Sequence, residues 1–404
     1  MAGPLSGFRV LDLSRILAGP WASQMLADLG AEVVKVERPG SGDDTRGWGP
    51  PYMPDEAARP TTESAYYHAA NRGKKSVCID MAQAPGQALI RDLACHCDVL
   101  IENFKVGGLQ KYRLDYASLK DVNPGLVYCS ITGFGQSGPY AARAGYDFMI
   151  QAMGGMMSVT GEADGQPMKI GVALADVLTG LYAANAIQAA LIHQRQSGEG
   201  QYIDMALLDV QVATLANQAM NYLASGVNPR RLGNAHPNIV PYQAFQTLDG
   251  YIILAIGNDS QFERFCRLAD SPGIAQDERF GKNSERVKNR DLLVPEIAAI
   301  MSTKTSAGWL DALNADGIPC GPINNIDQVF DDPQVKYRGL RLELEHPAAG
   351  RVASVANPIR LSATPIEYRL APPTLGQHTD EVLNRILALD DAALARLRKD
   401  GVIA

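Results

Sequence analysis

Along the first 130 or so residues, short apolar runs alternate with stretches whose apolar positions recur every three or four residues. The short runs FRVLDLS, EVVKVER, SVCID, DVLIENF and LVYCSIT are dense in Val, Ile and Leu, as strands covered on both faces are. Between them PWASQMLADLGA, APGQALIRDLACH and LQKYRLDYASLKDVN carry helical spacing. This alternation predicts an α/β fold, a parallel sheet layered by helices. Pro20 follows the Ala18-Gly19 bend and suits the first turn of a helix, so the chain enters that helix straight from its first strand.

From Tyr146 the pattern shifts to long helical stretches rich in Ala, Met and Gly. The loop-like segment from Ser225 to Asn238 then leads into PYQAFQT, the turn Asp249-Gly250 and YIILAIG, a strand pair. These features predict a smaller α+β domain over 226–333, after a large domain begun by 1–225 and completed by 334–404. The last segment reads as strands around a turn, LRLELEHPAAGRVASVANPIRL, and a terminal helix, DEVLNRILAL.

One stretch stands apart. VALADVLTGLYAANAIQAALI, residues 172 to 192, holds a single charge, Asp176, among small and apolar side chains. Thr179, Asn185 and Gln188 in the same stretch argue against a membrane span. A carboxylate near a helix start has two readings: a structural cap, or a desolvated, ionised nucleophile with room around it for an acyl group.

Composition narrows the partners. A chain of 404 residues, 46% apolar and 20% charged, is long enough for two or three domains and too apolar for a disordered one. Its net charge of −7 argues against nucleic acid or an anionic membrane as partner. Six scattered cysteines without a leader-like segment suggest reduced thiols and a cytoplasmic protein. Cys95-His96-Cys97 lacks a second ligand pair, the six histidines show no HExxH spacing, and no GxSxG elbow occurs, so neither a metal centre nor a serine hydrolase is expected.

Two further segments suggest ligand contact. GFGQSG, Gly133 to Gly138, matches GxGxxG but follows a fifth strand and runs into Pro139, so close backbone approach to a ligand fits better than a nicotinamide site. The segments 71-NRGKKS-76 and 102-ENFKVGG-108 lie at predicted strand edges and, with Arg38 and Lys111, would form a basic patch, or plain solvated surface. YDFMIQAMGGMM reads as core packing.

The residues VLDLSRILAGPWASQMLADLGAEVVKVERPG, NRGKKSV, DVLIENF, CSITGFGQSGPY, RAGYD and DVLTGLYAA, in that order, resemble the class III CoA-transferases of the formyl-CoA and carnitine type. GNAHPNIVPYQAFQTLDGYIILAIGND, PCGPINN and GQHT look most like their succinyl-CoA:glutarate branch. The resemblance implies a Rossmann-like large domain, a smaller α+β domain and an interlocked homodimer. It also implies coenzyme A and acyl-CoA as substrates, with no permanently bound cofactor. On it, Asp176 is the nucleophile, with Gly257 and Asn258 as a shortened shielding loop. Coenzyme A contacts fall at Arg15, Leu17, Ala18, Arg38, Asn71, Arg72, Lys74, Lys75, Asn103, Phe104 and Lys111, and around Thr132, Gly133 and Phe134. Leu17 and Thr132 stand where the formyl-CoA enzymes have glutamine and lysine, which weighs against oxalate. Tyr146, Arg143 and His236 are candidates for the acid substrate, with Arg230 and Arg231 behind them. The family's racemases carry a His-Asp pair where this chain has Tyr146-Asp147, so racemase is the runner-up, beside a coenzyme A binder without catalysis.

Overall fold

The computed structural model describes residues 3–404. They divide into two compact units, one holding the chain up to Met156 with Ile170–Ala219 and Gln334–Ala404, the other Met157–Lys169 with Met220–Pro333.

The first unit is built on β1 (Arg9–Asp12), β2 (Glu32–Glu37), β5 (Lys74–Cys78), β6 (Val99–Glu102), β7 (Val127–Thr132) and β8 (Tyr202–Ala206). A small antiparallel pair, β3 (Tyr52–Pro54) and β4 (Pro60–Ser64), lies between β2 and β5 in sequence. The six long strands pair in parallel in the order β5-β2-β1-β6-β7-β8. Counted within the sheet this is 3-2-1-4-5-6, the doubly wound dinucleotide-binding order, in which the winding reverses between the first and fourth strands. Here the reversal lies between β1 and β6, and their carboxyl ends flank the crevice it opens.

Alternation along each strand builds two cores. Leu11, Val34 and Leu100 point to one face, with Ile90 and Leu93 of the helix Ala84–Cys95 and Val382, Leu383 and Ile403 of the C-terminal segment. Val10, Val33 and Val99 point to the other. There they meet α1 (Ala18–Asp28) and, past α2 (Ala65–His68), α3 (Ala84–Cys95), α4 (Tyr116–Lys120), α5 (Asp147–Met153) and α6 (Met156–Val159), the long helix α7 (Leu174–Ser197). α7 lies against α1 at Gly180, where a Cβ would come within 2.8 Å of the Ala18 carbonyl oxygen. By length and composition α7 could cross a membrane, yet Ala183, Ala184, Ile187, Ala190 and Leu191 are buried in this core.

One helix is shorter than its periodicity suggests. LQKYRLDYASLKDVN forms a 3-10 turn at Gln110–Tyr112 and then only α4, because Arg113 takes a left-handed conformation (φ 54°) between them. The second unit has its own core, in which β9 (Tyr242–Gln246) and β10 (Tyr251–Ala255) form the expected hairpin and β11 (Cys320–Pro322) adds a third strand. In the first unit β12 (Arg341–His346) and β13 (Gly350–Val355) form the late pair.

Candidate active site

A cleft of about 990 Å³ opens at the crevice between β1 and β6, a size suited to a large ligand. Its walls come from the loops that leave the carboxyl ends of β1, β2, β5, β6 and β7, and from the first turn of α7. Arg15, Leu17 and Ala18 line it after β1, Arg38 after β2, Asn103, Phe104 and Lys105 after β6, then Lys111, Thr132, Gly133, Arg143, Tyr146 and Asp176.

The loops are tied together across the crevice. The Asn103 side chain accepts from the Arg15 N–H (2.9 Å) and donates to the Arg15 carbonyl (2.7 Å). Glu102 accepts from the Phe104 N–H at 2.7 Å and so holds the same loop from below; its burial pushes its own carboxyl up to about 7. Gly133 faces Gly145, where a Cβ on the first would come within 2.5 Å of the second's Cα, so only glycine lets these segments cross. Among the described residues Arg38, Lys105, Lys111 and Arg143 line the cleft without an ion-pair partner, whereas Arg15 pairs with the exposed Asp44 at 2.8 Å. Unneutralised cations beside a helix N-terminus suit phosphates and carboxylates.

Asp176 is half-buried in the first turn of α7. It does not cap that helix: Ala173 is the N-cap residue and makes no side-chain bond. Asp147, the first residue of α5, does the work from outside, taking the Ala175 N–H on Oδ1 at 2.8 Å. Asp176 has no hydrogen-bond partner among the described residues, and burial followed by the like charge of Asp147 raises its carboxyl to about 7. Its proton affinity is thus well above that of an ordinary aspartate.

A whole-chain comparison decides what kind of protein holds this cleft: the model of CoA-transferase family III matches residues 5–379. The chain belongs to that family. Among relatives of this CoA-transferase, the "Succinate--glutarate CoA-transferase" of Agrobacterium fabrum is 54% identical, over 96% of this chain and 97% of its own. The human "Succinyl-CoA:glutarate CoA-transferase" is 44% identical, over 99% and 90%. The crystal structure of a CAIB/BAIF family protein from Brucella suis superposes with a TM-score of 0.84 at 50% identity, covering 96% of this chain and 100% of that one. Enzymes of this family act on CoA thioesters.

Part of the expected contact set lies elsewhere in the CoA-transferase. Asn71, Arg72 and Lys74 are buried. Arg72 forks onto Asp28 (2.9 and 2.6 Å), while the Lys74 ammonium meets Asp12, the Pro20 carbonyl and Asn71. Lys75 pairs with Glu381 and Glu32. The physical reason is strand polarity: residues 71–75 enter β5 at its amino end, away from the carboxyl ends that shape the crevice. Phe134 is outside the lining and lies under the Arg143 guanidinium, 5.3 Å from ring centroid to cation.

Two backbone donors at glycine turns are committed. The Gly135 N–H goes to the Thr132 hydroxyl (3.0 Å) and the Gly257 N–H to the Gln261 side chain (2.8 Å). Asn258 is the N-cap of α10 (Asp259–Leu268), after α7, α8 (Leu207–Ala213) and α9 (Ala216–Ser225) in the chain. In the second unit His236 accepts from the Asn238 N–H and lies on Tyr242, and Arg231 is spent on the carbonyls of Glu162 and Gly165.

Sequence reading missed Trp48, and Lys105 enters it only within the basic segment 102–108. Trp48 lines the cleft from a loop with no chemical pattern, and Asp147 stands out in the sequence only beside the family's racemases. Glu63, His68 and His346 converge within 4.8 Å. There the His346 Nδ1 accepts the Ala348 and Ala349 N–H groups, which puts the ring proton on Nε2, 3.9 Å from Glu63 and without a hydrogen-bond partner among the described residues, so neither ring nitrogen presents a free lone pair to a metal.

Proposed function

We propose that this enzyme moves coenzyme A from an acyl-CoA donor, succinyl-CoA by the names of its relatives, to a free dicarboxylic acid, with Asp176 as nucleophile. The Asp176 carboxylate attacks the thioester carbonyl, expels the coenzyme A thiolate and forms a mixed anhydride. The thiolate then attacks the aspartyl carbonyl, releases the donor acid and leaves an aspartyl-CoA thioester. The acceptor carboxylate displaces the thiolate from that thioester, and the thiolate attacks the new acyl carbonyl to release product and Asp176.

The observation that carries the reading is Asp176 itself, an aspartate without a hydrogen-bond partner among the described residues, on the wall of a large cleft lined by cations at the sheet's switch point. Partial burial strips hydration from the carboxylate, and a raised proton affinity makes its ionised form a stronger nucleophile than an ordinary aspartate. The Asp176 N–H is likewise without a partner among the described residues, a donor for an oxyanion at the positive end of α7. Arg38, Lys105 and Lys111 are assigned to the phosphates of coenzyme A. Arg143, spread over Phe134 and Tyr140, is assigned to the distal carboxylate of the dicarboxylate, beside Tyr146. Leu181, Tyr182, Ile192 and Val212 leave apolar surface exposed on α7 and α8, which supports a homodimer.

Exchange of labelled succinate into succinyl-CoA, followed by a panel of glutarate, itaconate, malate, citramalate and oxalate, tests the assignment. Ping-pong exchange with a dicarboxylate and none with the Asp176→Ala variant is expected. Exchange by that variant at the parent rate overturns it.

A further inference from the structure

We propose that Asp147 is a positioning residue for the nucleophile, holding the first turn of α7 from the neighbouring helix α5 and placing a fixed negative charge beside Asp176. The inference rests on the nucleophilic reading of Asp176 and deepens it.

The geometry is a two-residue clamp. Asp147 Oδ1 accepts the Ala175 N–H at 2.8 Å, one residue before Asp176, and Oδ2 accepts the Gln151 amide at 2.8 Å. Gln151 is fully buried, and its oxygen accepts the Ile170 N–H at 2.9 Å. One side of a single helical turn of α5 therefore grips both ends of the segment 170–175 that feeds α7. A helix whose own N-cap is alanine lacks an oxygen for its first N–H groups, and Asp147 provides one in its place.

The two carboxylates have unequal surroundings, and that separates their roles. Both oxygens of Asp147 receive donors, whereas Asp176 receives none among the described residues, and burial followed by the Asp147 charge raises its proton affinity. The other groups around α7 do not alter this. Tyr66 of α2 comes within electrostatic range as a neutral phenol whose ionisation is itself opposed by burial and by both aspartates. Asp28 of α1 is bound to Arg72, Asp204 of β8 accepts the Gln136 N–H, and Asp209 of α8 is exposed. A like charge held in place means that the proton leaves Asp176 most readily once cationic or hydrogen-bonding parts of the substrate complex have entered.

The test is the pH profile of kcat/KM for acyl-CoA in Asp147→Asn and Asp147→Ser, both neutral and both retaining an oxygen for the Ala175 N–H; having two variants guards against a folding failure in one. The acid limb of either variant is expected to fall by about one pH unit, the size of a near-contact charge effect. In Asp147→Ala, which lacks the oxygen as well, kcat should drop about tenfold or more with KM for acyl-CoA within about threefold, since a displaced nucleophile costs chemistry rather than binding. A uniform loss at every pH with the limb unmoved would overturn the inference and leave Asp147 a purely structural residue. If Asp176→Ala still exchanges coenzyme A, the functional reading fails and this inference with it; if that variant is dead and the Asp147 limb does not move, only the inference fails.

Discussion

Asp12 and Asp176 are both aspartates of the first unit, both withdrawn from water, and they behave in opposite ways. Burial alone would raise Asp12, but the Lys74 and Lys35 ammoniums and the Ser14 and Ser23 hydroxyls more than offset it and hold its carboxyl at about 2. Burial raises Asp176 as well, and its one charged neighbour, Asp147, pushes the same way. Desolvation sets the stakes, and the partners set the sign. A fully satisfied carboxylate at the end of β1 locks the strand, the turn to α1 and the 71–74 segment together. A carboxylate on the cleft wall with no hydrogen-bond partner among the described residues keeps its oxygens open to a ligand.

The largest effect that would break this contrast is on chemistry. Asp176→Ala should lower exchange by at least about 10³-fold, since no other nucleophile lines the same turn, with the fold retained. The same substitution class at the other carboxylate should do the reverse. Asp12→Asn takes the ion-pair partner from the buried Lys74, while Lys35 keeps Asp43, and should cost about 3–5 kcal/mol of stability in urea unfolding.

Proton linkage sharpens the comparison. Asp12 is lowered in the folded protein, so its contribution is present above its ordinary value of 3.8 and is lost as pH falls towards about 2. Asp176 is raised, so its contribution is full below 3.8 and is lost as pH rises through about 7. Asp176→Asn should therefore stabilise the protein at pH 8, on the order of 2 kcal/mol, with no gain at pH 3.5, as read from melting curves at both values. In the parent enzyme kcat/KM should fall about tenfold for each pH unit below the acid limb near 7.

The smallest effect separates two arginines. Arg38→Ala should raise the KM for acyl-CoA about tenfold through one lost phosphate contact while leaving stability unchanged. Arg72→Ala should do the opposite, because its guanidinium is locked onto Asp28 inside the fold.

Much of this was visible in the chain. The Val-rich runs marked the parallel strands, because residues covered on both faces are apolar at nearly every position, and the lone charge in a small-residue helix marked Asp176. The segment 102–108 follows its strand, and its loop lines the cleft. The segment 71–75 has the same basic look but precedes its strand, and pattern alone does not say that its charges turn inward to Asp12 and Asp28. Asp147 was hidden for a related reason: a helix cap is sought in the residues before its own helix, and here it comes from another one. Nothing in the hydrophobic pattern of 157–169 marks its membership of the second unit.

The most direct measurement is peptide mapping by mass spectrometry after brief incubation with succinyl-CoA and an acid quench. The account predicts a coenzyme A thioester on the peptide containing Asp176, absent from the Asp176→Ala protein. Steady turnover with no adduct at that residue, or with an adduct on another side chain, would contradict it.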